Sequence, residues 1–166
     1  MGKRLAQHPY NRVRLLTAGV EVSGDKHEYL IPFNQLSDIT CKRGMVWGEL
    51  EFLLADNKVV RLHGTEWQET QRFYHYLMQA WQDWSHEMSD VCASVLQGLR
   101  AEINGFSEQD RWLKRSELQA INDQILKQFD ALPLPLSRIN DFESCRENWA
   151  FCQHWLQQGE AAIRQR

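Results

Sequence analysis

The sequence predicts an α+β protein: an antiparallel sheet closed by a C-terminal helix over residues 1–84, followed by a three-helix segment over residues 85–166. Two periodicities lead to this prediction. Apolar side chains alternate along several short stretches of the first part, which is the pattern of half-buried strands. From residue 67 onward they recur every three or four positions, which is the pattern of amphipathic helices. Because only the second pattern continues after residue 84, we expect the domain boundary there.

The clearest strands are residues 46–54 and 58–63, which are predicted to form a hairpin around a turn rich in Asp and Asn. Along the first strand Leu50 and Phe52 alternate with charged residues, so one face packs inward and the other faces solvent. Residues 65–68 resemble a capping box that begins the first helix. The apolar stripe of this helix comprises Trp67, Phe73, Tyr74, Leu77, Trp81 and Trp84.

Three earlier stretches are also predicted to be strands. They are residues 12–22, with a bend at residues 18–19, residues 28–31 and residues 38–42. The sheet therefore has about five strands. Every connection is shorter than the roughly dozen residues that a crossover helix needs, so we expect antiparallel pairing throughout.

The second part of the chain is predicted to contain three helices that stack largely antiparallel. Residues 104–105 end the first helix, and residues 116–119 resemble a capping box for the second. The prolines within residues 133–135 break the chain before the third helix, which Ser137 or Asn140 is expected to cap. The three stripes are Met88, Cys92, Val95, Leu99 and Ile103; Leu118, Ile121, Ile125, Phe129 and Leu132; and Phe142, Cys145, Trp149, Cys152 and Leu156.

The composition is that of a soluble globular protein with no membrane partner. The 166 residues are 43% hydrophobic and 25% charged. No apolar run approaches the roughly 20 residues that span a bilayer, and the first residues are too polar for a secretory signal. The 4 cysteines show no C-x-x-C spacing. We therefore expect neither a zinc site nor a disulfide framework, and a reducing, cytoplasmic setting.

No motif indicates catalysis or a cofactor. The sequence lacks a phosphate loop, a dinucleotide-binding loop, a nucleophile elbow and a zinc-protease helix. Glu49 and Glu51 lie on the outward face of a predicted strand, as paired acid–base carboxylates would, but carboxylates on such a face usually just interact with solvent. We expect no catalytic, cofactor-binding or metal-binding residue in this segment.

Positive charge is concentrated in the first part, although the whole chain has a net charge of −3. Residues 1–64 hold 9 Lys and Arg against 7 Asp and Glu, whereas residues 65–166 hold 10 against 15. Four cations precede the first acidic residue, Glu21, and two more lie at a turn close to an outward tryptophan. Such cations can contact phosphates, and an exposed aromatic ring can stack with an unpaired base.

This pattern favours a surface for single-stranded nucleic acid. The candidate residues are Lys3, Arg4, Arg12, Arg14, Lys42, Arg43 and Trp47. The alternative is that residues 43–44 are merely a hairpin turn and that Trp47 packs beneath the N-terminal arm.

Several long, irregular strings resemble the N-terminal region of bacterial DNA helicase IV. They are GKRLAQHPY at 2–10, HEYLIPFNQL at 27–36, CKRGMVWGELEF at 41–52, VVRLHGTEW at 59–67, LPLP at 132–135 and CRENW at 145–149. The resemblance covers nearly all of residues 2–158 and is weakest at residues 86–125.

The resemblance implies a superfamily-one, Rep/UvrD-like motor that hydrolyses ATP and moves 3′ to 5′ on single-stranded DNA. In such proteins ATP and Mg²⁺ bind in later domains, with a Walker A lysine and an arginine finger. The present sequence stops at Arg166, before any such motif, so no catalytic residue is transferred and we expect an excised accessory domain. A sheet closed by one C-terminal helix is also similar to a pleckstrin-homology-like fold, an analogy that says little about function.

We therefore expect the N-terminal accessory domain of an ATP-dependent 3′–5′ DNA helicase, which assists DNA engagement or positions the motor. Its expected partners are single-stranded or forked DNA and the motor domains of the same chain. The main alternative is a protein-docking or regulatory module that serves the helicase or a repair partner without touching DNA. A third alternative, an independent enzyme, has no supporting motif.

The 166-residue segment is predicted not to hydrolyse ATP, because no loop of clustered backbone N–H groups with a lysine is present to neutralise the triphosphate. The measurement is phosphate release by the pure segment, with and without single-stranded DNA. DNA-stimulated release above that of a buffer control would contradict the prediction.

Overall fold

The chain folds as an α+β protein, as the sequence predicts. A computed structural model describes residues 10–45, 47–109 and 115–165. Within these residues lie six β-strands, two 3-10 helices and three α-helices. The chain divides into two compact units, Met1–His86 and Glu87–Arg166.

The first unit contains two three-stranded antiparallel sheets, with strand orders β1-β2-β3 and β4-β5-β6. The strands are β1 (Arg12–Leu16), β2 (Gly19–Ser23), β3 (Glu28–Pro32), β4 (Leu36–Arg43), β5 (Trp47–Leu54) and β6 (Val59–Glu66). The antiparallel pairing is confirmed, but the prediction of one sheet with about five strands is wrong. The chain reverses completely at residues 17–18, so the predicted bent strand is a hairpin of two strands.

Glycine at position 19 allows this hairpin to lie against the next strand. A Cβ atom added at Gly19 would lie 2.6 Å from the carbonyl oxygen of Ile31 on β3. That separation is shorter than a van der Waals contact, so only a residue without a side chain permits the close approach.

A closed, pleckstrin-homology-like arrangement of the strands is not confirmed. Among the described residues, Tyr10, which precedes β1, forms one isolated parallel bridge with Leu62 of the second sheet. In it the backbone N–H of His63 donates to the carbonyl of Tyr10 at 3.0 Å. The bridge anchors Tyr10, which is buried, beside β6.

The alternation predicted for β5 is confirmed. Leu50, Phe52 and Leu54 are buried, whereas the residues between them are partly exposed. Val46, which the predicted strand also included, lies outside the described residues. The inward residues of β5 join a core that also contains Val20, Val22, Ile31, Phe33, Leu36, Ile39, Val60, Leu62, Leu77 and Trp81.

The first helix is longer than predicted. Helix α1 (Trp67–Gln109) is continuous over 43 residues, so the predicted separate helix after residue 84 and the predicted end at residues 104–105 are both wrong. No proline interrupts this stretch, and the Ser85 hydroxyl donates to the carbonyl of Trp81 within the same helix. Gly105 lowers helix stability by roughly 1 kcal/mol relative to alanine, which is too little to end a helix of this length.

Helix α1 begins directly above β5, where Gly48 and Thr70 are in contact. A Cβ atom added at Gly48 would overlap the hydroxyl and the Cβ atom of Thr70, which is buried. The Thr70 hydroxyl donates to the carbonyl of Glu66 at 2.9 Å and lies 2.5 Å from the hydroxyl of Thr65. The predicted capping box at residues 65–68 is therefore wrong, because Thr65 belongs to β6 and its hydroxyl is directed to Thr70.

A β-bulge in β6 directs Thr65 toward Thr70. Gly48 pairs with Thr65, but the next residue of β5, Glu49, pairs with His63, so Gly64 is an extra residue. Because of this extra residue, Leu62 and Thr65 face the same inner side although they are three positions apart.

The second unit contains the later part of α1, helix α2 (Arg115–Asp130) and helix α3 (Glu143–Gln165). The predicted break at residues 133–135 is confirmed. It leads into a 3-10 helix, Leu136–Asp141, that the sequence did not predict. Most of the predicted stripes are buried, as shown by Cys92, Leu99, Ile103, Ile125, Phe129, Cys145, Trp149, Cys152 and Leu156.

The predicted caps of α2 and α3 are wrong in detail. Ser116 lies inside α2, which begins one residue earlier. Ser137 and Asn140 both lie in the 3-10 helix, whose last turn closes when the backbone N–H of Phe142 donates to the carbonyl of Ile139. The serine and asparagine are therefore used in the connection rather than at the start of α3.

Trp149 packs in the centre of the second unit. Its side chain is 4% exposed, and its ring centroid lies 4.5 Å from that of Phe129 on α2. Cys145 and Cys152, one turn or so to either side of it on α3, are fully buried. The tryptophan therefore contributes a large apolar area to the contact between α2 and α3.

Replacing this tryptophan should destabilise the second unit strongly. We expect Trp149→Ala to cost about 3–5 kcal/mol in the free energy of unfolding, because it removes a large buried ring and leaves a cavity. Urea denaturation monitored by circular dichroism measures this effect. Trp47→Ala is the matched control, since this ring is 55% exposed and its loss should change stability by less than about 0.5 kcal/mol. Equal midpoints for the two variants would contradict the prediction.

Candidate nucleic-acid interface

Two of the predicted arm cations lie on the outward face of β1. Arg12 and Arg14 are exposed, while Val13 between them packs against the core. The Arg14 guanidinium forms an ion pair with Glu21 on β2 at 2.8 Å. The other two arm residues, Lys3 and Arg4, lie outside the described residues.

The β4–β5 hairpin brings together the other three candidates. Lys42 and Arg43 end β4, and Trp47 begins β5. The hairpin is closed by the backbone N–H of Gly44, which donates to the carbonyl of Trp47 at 2.8 Å. Trp47 is 55% exposed, so its ring is available on the surface.

Lys42 is less available than the sequence suggested, because a carboxylate neutralises it. Its ammonium lies 3.3 Å from Glu51, which also accepts from Arg61 at 3.0 Å. Glu49 in turn lies 3.5 Å from Arg61 and 3.4 Å from His63. The outward carboxylates of β5 thus belong to an ion-pair network on the sheet. The hairpin register could have indicated this pairing, since counting back from the turn places Lys42 across from these acids.

Arg43 makes a different kind of contact. Its guanidinium carbon lies 5.7 Å from the ring centroid of Trp67, the first residue of α1. This is a cation–π arrangement, and none of the carboxylates that the structure describes forms an ion pair with the guanidinium. The sequence assigned Trp67 to the apolar stripe of the helix and did not predict its contact with the hairpin.

Arg12 lies on the other flank of the same helical turn. It lines a cavity of about 290 Å³ together with residues of β1, β5, β6 and α1. The described lining residues are Arg12, Val13, Leu50, Leu62, Thr65, Glu69, Thr70 and Phe73. Arg12 and Arg43 therefore both lie beside the start of α1, where the helix dipole adds partial positive charge.

Acidic residues in the same turn limit the positive potential. Glu66 and Glu69 are both exposed beside the start of α1. Among the described residues, no ion pair involves Arg12, Glu66 or Glu69. The surface around the first turn of α1 therefore carries both signs of charge, and any attraction for an anion depends on Arg12, Arg43 and the helix terminus.

The described residues offer little reactive chemistry. No group of three or more His, Cys, Asp or Glu side chains within them could hold a metal ion. Burial raises the pKa of the thiols of Cys41, Cys92 and Cys145, and it raises the pKa of Cys152 to about 11. These thiols are therefore protonated near pH 7 and are poor nucleophiles. In the described part of the chain, no helix is both long enough and apolar enough to cross a bilayer.

Comparison with known proteins identifies the family. Residues 1–157 match the family described as DNA helicase IV / RNA helicase N terminal. The chain belongs to this family. It is 56% identical over 162 residues to DNA helicase IV of Escherichia coli (strain K12), and the aligned region covers 98% of the chain and 24% of that relative. No solved structure matches.

The resemblance to DNA helicase IV seen in the sequence is thus confirmed for this N-terminal region. The chain spans about a quarter of the length of its curated relative.

The raised pKa of Cys152 predicts that stability falls in alkaline solution. The thiol ionises near pH 9 in the unfolded chain and near pH 11 in the folded one. Its contribution to stability is complete below pH 9 and is lost as the pH rises toward 11, by about 2–3 kcal/mol in total. Urea denaturation between pH 8 and 11 measures this loss. Cys152→Ala should show a flatter dependence on pH, and parallel curves for parent and variant would contradict the assignment.

Proposed function

We propose that this segment is an accessory domain of an ATP-dependent 3′–5′ DNA helicase and that it contacts single-stranded or forked DNA directly. Membership of the helicase family supports the first part. The observation that carries the second part is the β4–β5 hairpin, which bears the exposed Trp47 together with Lys42 and Arg43. We assign ATP, Mg²⁺ and the motor activity to other domains of the same protein, and we expect that protein to be cytoplasmic.

The two arginines beside α1 are the principal phosphate contacts in this proposal. Arg12 and Arg43 have no ion-pair partner among the described residues, so a phosphate does not have to displace a carboxylate from them. Lys42 and Arg14 are secondary contacts, because Glu51 and Glu21 compete with phosphate for their charges. Binding by the isolated segment should therefore be weak and strongly dependent on salt.

Trp47 supplies the contact to the bases. An exposed ring offers a flat apolar surface on which an unpaired base of any identity can stack. Lys42 is the hairpin cation on the same face of the sheet as Trp47, since it pairs with Glu49, and in this proposal it leaves Glu51 to contact the adjoining phosphate. The hairpin therefore combines the two interactions that single-strand binding requires.

The alternative function is protein docking, and a groove in the second unit favours it. The groove has a volume of about 500 Å³ and is bordered by Leu126 and Leu136, which are large exposed apolar side chains. Phe129 and Trp149 form part of its lining. A domain of the motor or a repair partner could bury this surface without DNA being involved.

Salt-dependent titration of the 166-residue segment with single-stranded and forked DNA tests the proposal. Losing the two hairpin cations in Lys42→Gln/Arg43→Gln should reduce the slope of log affinity against log salt by about 0.7–1.4, at roughly 0.7 for each phosphate contact, the lower value applying if Glu51 keeps Lys42 from the phosphate. Lys26→Gln/Lys127→Gln is the matched control, because it removes equal charge at exposed residues that do not belong to the hairpin and should leave the hairpin's own contacts intact.

Trp47→Ala should act differently from the charge variants. We expect it to weaken single-strand binding by about 1–3 kcal/mol with little change in the salt slope, because it removes stacking and no charge. If the parent segment shows no salt-dependent binding to either DNA, direct contact is excluded. If parent, hairpin and tryptophan variants all bind alike while folded, the contacting surface lies elsewhere and the docking function is favoured.

A further inference from the structure

The cavity beside the start of α1 has apolar walls that the core does not fill. Leu50 and Leu62, which are fully buried, line it together with the half-buried side chains of Val13 and Phe73. Its volume of about 290 Å³ is close to the lower end of the range for small-molecule pockets and is far larger than the roughly 30 Å³ of one water molecule. A flat molecule of moderate size therefore fits its dimensions.

Two charged groups of opposite sign lie among the lining residues. Arg12 has only donors and Glu69 has only acceptors, and both are exposed. Neither forms an ion pair among the described residues, with each other or with any other group. The two threonine hydroxyls of the cavity are already directed to each other, so the free polar groups are the guanidinium and the carboxylate.

We propose that this cavity binds one unstacked base of the single-stranded DNA that the proposed function requires. A base has two apolar faces and one edge of hydrogen-bonding groups, which matches apolar walls with a charged group at the edge. The ring of Phe73 and the side chain of Val13 contact the faces of the base. Arg12 contacts the adjoining phosphate.

Glu69 gives this pocket a preference among bases. A carboxylate accepts hydrogen bonds and cannot donate them, so it favours a base that presents an exocyclic amine at its edge, such as cytosine. Thymine presents carbonyl oxygens on both sides of its single N–H, and these oxygens repel a carboxylate. The pocket should therefore favour cytosine over thymine.

The experiment compares oligo(dC), oligo(dT) and an oligo(dC) strand with one central abasic site, using the 166-residue segment. The parent should bind oligo(dC) about 5–150-fold more tightly than the abasic strand, which is the range for one stacked base. Val13→Phe fills the cavity and should abolish this difference while leaving the salt slope unchanged.

Glu69→Gln provides a second variant that does not depend on repacking. It should remove the preference for oligo(dC) over oligo(dT) while the parent and the matched control, Glu66→Gln, retain it. Glu66 is an exposed acid beside the same helical turn and is not among the residues that line the cavity. Equal affinity of the parent segment for all three strands would contradict the proposal that the cavity binds a base. This holds even if the salt dependence showed that the segment contacts DNA phosphates.

A titration with deoxycytidine monophosphate tests whether the cavity binds a base independently of whether the segment binds a DNA strand. Chemical-shift changes at Thr65 and Phe73 that disappear in Val13→Phe would support the pocket, even if no strand bound and the proposed function failed. The absence of any such chemical-shift change at millimolar nucleotide would contradict the proposal that the cavity binds a base.

Discussion

The close approach of Gly48 to Thr70 positions the surface around the first turn of α1. Because no side chain fits between β5 and the first turn of α1, the helix begins in direct contact with the sheet. On one flank this contact brings Trp67 beneath Arg43, and on the other it leaves the cavity that Arg12 lines. A glycine with no chemistry of its own therefore determines where two cations and two hydroxyls lie.

The distribution of charge explains why the first unit can have a functional surface without a large net charge. On the outer face of the β4–β5–β6 sheet, Glu49 and Glu51 hold Arg61 and Lys42 in ion pairs that largely cancel. The charges without an ion-pair partner among the described residues include Arg12 and Arg43, together with Glu66 and Glu69, near the start of α1. Such an arrangement favours a ligand with both anionic and neutral polar groups over a simple polyanion.

The sequence predicted what depends on local periodicity. The alternation in β5, the buried stripe of α3 around Trp149 and the exposure of Trp47 all follow from the spacing of apolar residues, and the structure agrees. Local periodicity did not predict the number of strands, the length of α1 or the partners of Lys42 and Arg43. Each of these depends on the register of paired strands or on contacts between elements that are distant in sequence. A reversal and a bend at residues 17–18 look alike until the pairing of β1 with β2 is known.

The extra residue in β6 makes the pairing of this strand as important as its composition. Side chains alternate between the faces of a regular strand, so the same sequence paired without the bulge would turn Thr65 toward the outer face and Glu66 toward the core. Deleting Gly64 would instead leave a regular strand in which Thr65 still faces inward. We therefore expect members of this family either to keep the bulge or to lack its one extra residue, since both arrangements place the residue equivalent to Thr65 on the inner face, against α1.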